Sequence, residues 1–200
     1  MLRIGLTGNM GSGKTFVADI FHSFGIPVFF ADKEARKLFS HDKIKNQIRG
    51  LFGNEVFDKE GNISRPRLAE IVFLNNHLLA KLNRIIHPAV IEEYKNWLEH
   101  YSNVPYTLYE AAILYESGHY SDMDRIICVT SPEEVRIRRV INRDGITPEE
   151  AKLRMENQWD ESRKAEMADF IIINDGVKEV EMQVEQIHKQ IMLLTKSTSQ

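Results

Sequence analysis

The chain has 200 residues, which at about 150 residues per domain predicts one domain with room for an inserted lobe. Its 26 basic and 29 acidic residues leave a net charge of −3, with 42% hydrophobic and 28% charged residues. That excludes a nucleic-acid binder resting on net positive charge, and a chain disordered throughout. The lone Cys128 excludes an internal disulfide framework, and no run of about 18 apolar residues exists to span a membrane. Residues 1–5 lack the apolar core of a signal peptide, so a cytoplasmic protein that binds neither membrane nor nucleic acid is expected.

Residues 2–7 predict a short strand ending at Gly8. Residues 16–24 carry apolar side chains at 16, 17, 20, 21 and 24, a helical period closed by Gly25. Residues 26–30 predict a second strand. Strand, loop, helix and strand within 30 residues form a βαβ unit, which implies a parallel sheet. Residues 32–100 read as mostly helical. Ser64-Arg65-Pro66-Arg67 starts a helix with Leu68, Ile71, Val72 and Leu74 on one face. Residues 57–62 predict an exposed turn, and Pro88 is expected to open a helix with Val90, Ile91, Tyr94 and Leu98 on one side. The expected layout is an α/β core at about 1–40 and 104–200 with a helical lobe at about 41–103.

Strands are predicted at 106–110 and 125–130, and a buried one at 169–173. Ser131-Pro132-Glu133-Glu134 and Thr147-Pro148-Glu149-Glu150 each predict a capping box. Val177, Val180, Val184, Ile187, Ile191 and Leu194 form an apolar stripe on a last helix, expected to dock on the sheet, with residues 196–200 fraying. Cys128 falls in a predicted buried strand and is expected to be inert.

The strongest motif is Gly8-Asn9-Met10-Gly11-Ser12-Gly13-Lys14-Thr15, the phosphate-loop pattern GxxxxGKT set between a predicted strand and helix. Phosphate oxygens must be approached closely by backbone N–H groups, and a Cβ would stand in the way. The following helix points its amides and positive dipole end at the same anion. Lys14 can reach the β- and γ-phosphates, and the Thr15 hydroxyl can bind Mg²⁺. The loop alone establishes nucleoside triphosphate binding. It does not separate a small-molecule kinase from a GTPase, a motor or a nucleotide sensor.

Other residues bear on what accepts the phosphoryl group. Asp32 lies just past the second strand, where a carboxylate can take the proton of an attacking hydroxyl, or it caps the helix that follows. Arg36, one turn on, can pair with substrate phosphate or with Asp32. Arg136, Arg139 and Arg143 share a helix face, which suits a lid closing over a triphosphate (about 136–162) or a solvated face paired with nearby acids. Glu110 and Glu116 can serve a metal-bound water or be plain loop carboxylates. His87 can cap a helix or touch substrate, and no partner at ligand spacing marks a zinc site.

Taken together, residues 2–8 through Lys14-Thr15, Ala31-Asp32-x-x-Ala35-Arg36, Ile86-His87-Pro88, Ile113-Leu114-Tyr115-Glu116-Ser117-Gly118, Arg139-x-x-x-Arg143-Asp144-Gly145, Gln158 and Ala168-Asp169-Phe170-x-Ile172-x-Asn174-x-Gly176 resemble the dephospho-CoA kinase family, from about residue 2 to 190. The resemblance implies a P-loop NTPase-type parallel sheet flanked by helices, with a helical substrate lobe and a lid. It implies MgATP-dependent phosphorylation of the ribose 3′-hydroxyl of dephospho-CoA. It makes Asp32 the base and Arg139 and Arg143 phosphate contacts. It puts Asn174 and Gly176 in an adenine-side loop, and Arg36, His87, Glu110 and Glu116 on the substrate side. Two departures stand out. Phe30-Ala31-Asp32 replaces the family's Asp-Ala-Asp, and Glu110-Ala111-Ala112 replaces its Asp-x-Pro. The rivals are a nucleoside or nucleotide kinase, and a nucleotide-binding switch that needs no base.

Overall fold

The computed structural model describes residues 1–73 and 75–197. Strand β1 (Leu2–Thr7) leads through the glycine-rich loop into helix α1 (Lys14–Ser23), and β2 (Val28–Phe30) follows. Strands β3 (Tyr106–Glu110), β4 (Arg125–Thr130) and β5 (Phe170–Ile173) complete one parallel sheet in the order β2-β3-β1-β4-β5. β1 is central, paired with β3 through Leu6↔Glu110 and with β4 through Thr7↔Cys128. A parallel sheet is buried on both faces, so β3 and β4 read as nearly continuous buried runs.

Helices α6 (Glu133–Asp144), α7 (Pro148–Met155), α8 (Glu161–Glu166) and α9 (Val180–Ser197) belong with these strands. Residues 1–30 and 101–200 form one compact unit. Its core joins Ile4 and Leu6 of β1, Phe21 of α1, Leu108 of β3, Ile127 of β4 and Val184 of α9, all fully buried. The stripe Val180, Val184, Ile187 and Ile191 docks into that core. Val177 precedes the helix and is 87% exposed. The last helix runs on to Ser197 instead of fraying at 196, while residues 198–200 lie outside the described residues.

Residues 31–100 form the second unit. Helices α2 (Ala31–Leu38), α3 (Asp42–Phe52) and α4 (Arg65–Phe73) each pack on α5 (Asn76–Leu98). Pro88 sits inside this 23-residue helix rather than at its start. The buried stripe Leu82, Ile86, Val90 and Tyr94 continues at spacing four across it, and that packing outweighs the ~3 kcal/mol cost of an interior proline. Residues 57–62 form the expected turn, closed by Asp58 Oδ1 accepting from the Glu60 and Asn62 amides. Phe57 is buried beneath the Arg49 guanidinium, however, not exposed. Leu74 of the predicted α4 face lies outside the described residues.

Two further expectations are corrected. The Thr147 capping box forms, but the one predicted at Ser131 does not. Ser131 Oγ instead accepts from Arg139 Nη1 at 3.3 Å, and α6 starts two residues later without a side-chain cap. Strand β5 is an edge strand, so Ile171 is 47% exposed where a fully buried strand was expected.

Candidate active site

The loop between β1 and α1 is held in shape by the protein itself. Gly11 and Gly13 have φ of 81° and 93°, a left-handed backbone that favours glycine. A Cβ on Gly11 would lie 2.5 Å from the Arg136 carbonyl oxygen, and one on Gly13 would strike the Asn174 side chain. Close packing of the loop on its supporting shell therefore demands glycine, in addition to any approach by phosphate.

That shell has two sides. On one, Arg139 Nη1 donates to Gly11 O at 3.2 Å and Ser12 O at 3.4 Å. Asn174 Nδ2 donates to Ser12 O at 2.8 Å, and the Asn174 amide donates to Thr130 O. On the other, Gln158 Oε1 accepts from the Met10 amide at 2.8 Å, and Asn9 Nδ2 donates to Trp159 O at 3.0 Å. Lys14 is 8% exposed, with Nζ 3.4 Å from Asn9 O.

The features of an anion site remain open here. Helix α1 has no side-chain cap and no acid in its first turn, so its dipole and amides face outward uncompensated by its own residues. Asn9 Oδ1 and Ser12 Oγ are buried without a hydrogen-bond partner. Thr15, in the first turn of α1, is exposed. Glu110 ends β3, the strand beside β1, and is 4% exposed. Nucleotide phosphates fit the loop, and Mg²⁺ fits the hydroxyl and carboxylate chemistry of Thr15 and Glu110.

The arginines of α6 part company. Arg136 is buried, donating to Ser131 O and lying 3.4 Å from Glu161 Oε1. Arg139 holds the loop. Arg143 is largely exposed and makes a two-pronged contact with its neighbour Asp144 at 2.7 and 3.0 Å. The expected shared cationic face is thus three separate environments. Asn174 and Gly176 lie at the β5 exit. There the Asp175 carboxylate accepts from the Val177 and Lys178 amides.

Glu116 is engaged elsewhere. Its Oε1 lies 2.7 Å from Nζ of Lys164, which is fully buried, and accepts from the Trp159 amide at 2.9 Å. Lys164 also donates to Ala112 O at 2.9 Å. Burial holds the Lys164 ammonium below its usual range, against the hydrogen bond it donates to Glu116. Burial likewise raises the Glu161 carboxyl, against the pull of Arg136 and the Ser131 amide. Burial pushes the Cys128 thiol up to about 12, which leaves it protonated and inert.

In the second unit, Asp32 and Arg36 are exposed on α2. Helix α2 begins at Ala31, so Asp32 lies within its first turn instead of capping it. Among the described ion pairs none joins Asp32 to Arg36. His87 is half-buried mid-way along α5.

Sequence reasoning missed the Arg136–Glu161 and Glu116–Lys164 pairs and the seat of Trp159. That ring stacks on Tyr115, with the Arg163 guanidinium 3.5 Å from its centroid. Arg163 apart, these partners lie 25 to 48 positions from one another and leave no local signal.

Against known proteins, the chain matches the model of the dephospho-CoA kinase family over residues 2–179. It is 36% identical over 178 residues to a dephospho-CoA kinase of Bacteroides fragilis, covering 88% of this chain and 86% of that protein. Its fold is similar to the crystal structure of TT1252 from Thermus thermophilus, with a TM-score of 0.82, 30% identity and 96% of each chain covered. It is also similar to a dephospho-CoA kinase from Campylobacter jejuni, with a TM-score of 0.65, 26% identity and 98% of each chain covered.

Proposed function

The chain belongs to the dephospho-CoA kinase family, and on that premise we propose that it transfers the terminal phosphoryl group of MgATP to the ribose 3′-hydroxyl of dephospho-CoA, giving CoA and ADP. The observation that carries this reading is the doubly braced phosphate loop, with an uncapped helix behind it, in a chain matched to the family over nearly its whole length.

Phosphoryl transfer leaves a protein little covalent work, so the reading assigns positioning and charge stabilisation to named residues. The amides of Gly11 to Thr15 bind the phosphates, and Lys14 offsets charge developing on the transferred group. Thr15 and Glu110 would hold Mg²⁺ by their hydroxyl and carboxylate oxygens. The chemistry it would supply there is charge neutralisation on the phosphates. Asp32 takes the proton of the acceptor hydroxyl, and the family pattern at residues 31–36 supports it. Arg36 and His87 belong to the acceptor side, within a helical lobe at 31–100. Arg143 supplies a phosphate contact from a lid built on α6 and α7, after releasing Asp144. Arg139 acts on the same phosphates through the loop carbonyls it holds. Asn174 and Gly176 border the adenine. In this reading Glu116 serves as a structural anchor through Oε1, which Lys164 and the Trp159 amide engage. The cytoplasm, where MgATP is supplied, is the compartment of this reading. ADP release from MgATP with and without dephospho-CoA tests it.

A further inference from the structure

Gln158 lies in the segment between α7 and α8, and its carboxamide spans two elements of the site. Oε1 accepts from the Met10 amide of the phosphate loop at 2.8 Å, and Nε2 donates to Ala112 O, just past β3, at 3.4 Å. Ala112 O takes a second donor from Lys164. We propose that Gln158 is a positioning residue for phosphoryl transfer: it sets the first half of the phosphate loop against the segment that follows β3.

Four observations carry this. First, the two halves of the loop are braced separately. Arg139 and Asn174 hold the carbonyls of Gly11 and Ser12. The first half has Gln158 on Met10 and Trp159 O on the Asn9 amide group. Among the described residues, Gln158 is the only side chain beyond the loop that accepts from an amide of residues 8–13.

Second, the chemistry asks for a carboxamide. The Met10 N–H needs an acceptor, the Ala112 carbonyl has room for a second donor beside Lys164, and one glutamine head supplies both. The flipped amide would set donor against donor and oxygen against oxygen, so the orientation is fixed. The bond at 112 uses the backbone, so alanine there serves as well as the family's proline.

Third, the segment carrying Gln158 does not depend on it. Trp159 is stacked on Tyr115, its amide is bound by Glu116, and Glu116 is paired with buried Lys164. The frame therefore persists when the amide is removed.

Fourth, Gln158, Trp159 and Asn9 line a cavity of about 550 Å³ together with Arg136 and Lys152. Gln158 is half-buried and lines this space, so it is not filler in a closed core.

The kinetic part rests on the kinase reading, so the test carries a second readout that does not need the acceptor. Q158L removes both bonds. Q158E keeps an acceptor for Met10 and loses the donor to Ala112. ADP affinity is measured by calorimetry, kcat and KM for ATP and for dephospho-CoA by ADP release, and folding by thermal melting. In Q158L, ADP binding and kcat/KM for ATP are expected to fall about tenfold or more, because small misplacements of a positioning group cost that much. KM for dephospho-CoA stays within about twofold and the melting temperature within a few degrees. Q158E falls between wild type and Q158L. Wild-type ADP affinity and kcat/KM in both variants would overturn the proposal. So would a lowered melting temperature with unchanged constants, which marks a purely structural residue. If the wild type shows no turnover with dephospho-CoA, weaker ADP binding by Q158L still supports the positioning role while the acceptor assignment fails.

Discussion

The Arg139 guanidinium donates twice to Asn174, to its carbonyl oxygen at 3.3 Å and its Oδ1 at 3.1 Å, while each residue separately holds Ser12 O of the phosphate loop. An arginine of α6 and an asparagine at the exit of β5 thus form one clamp on the loop. The planar fork of arginine suits this set of carbonyls in a way lysine cannot match. Arg139→Lys and Asn174→Ala should each lower kcat/KM for ATP by about 10- to 100-fold. Their double mutant should lose less than the sum of the two effects, because they share Ser12 O. Steady-state kinetics on the four proteins checks this.

Lys14 and Asp32 should fail in different ways. Lys14→Ala removes charge from the phosphates and should weaken nucleotide binding, with turnover down by about 100-fold or more. Asp32→Asn should keep MgATP affinity and lose about 100- to 10,000-fold in kcat, the usual range for a lost general base. Calorimetric titration with a non-hydrolysable ATP analogue, set beside kcat, separates the two. Strong residual turnover in Asp32→Asn would remove Asp32 from the chemistry.

Much of this site is legible in the sequence because its chemistry is local. Eight consecutive residues make the phosphate loop, and Thr147 with Glu150 makes a capping box from neighbours. What failed depends on distant partners. Ser131 has the same local pattern as Thr147, yet its hydroxyl is taken by Arg139 from the next helical turns. Pro88 reads as a helix start, yet the buried stripe from Leu82 to Tyr94 carries the helix through it. Lys164 follows an arginine on a six-residue helix, and no local pattern marks it for burial. Glu116 and the Ala112 carbonyl, 48 and 52 positions earlier, explain its complete burial. The same contact engages Glu116 Oε1 inside the protein, which its place in the sequence does not announce.

That buried pair predicts a stability effect. Lys164→Met leaves the Glu116 carboxylate partly buried without its cation, which typically costs about 3–5 kcal/mol. The melting temperature should fall by on the order of 10 °C. Adding Glu116→Gln should recover part of the loss, since the uncompensated charge is gone. Thermal melts of the single and double variants measure both steps.

Glu161 predicts a pH dependence. Burial raises its carboxyl pKa in the folded chain. Between the unfolded value, about 4.3, and that raised value, the native state holds more protons than the unfolded state. Its contribution is therefore full below the unfolded value and is lost as pH rises through the folded one. Glu161→Gln does not titrate. The stability of wild type relative to this variant should fall as pH rises above the unfolded value. Urea denaturation at a series of pH values above it checks the sign, and a rising difference would contradict it.

The central claim is the acceptor. The direct measurement is ADP release by the purified protein with MgATP, with and without dephospho-CoA, and the mass of the product. The account predicts turnover only when dephospho-CoA is present, and a product heavier by one phosphate. A folded protein that binds ATP but leaves dephospho-CoA unmodified would contradict it.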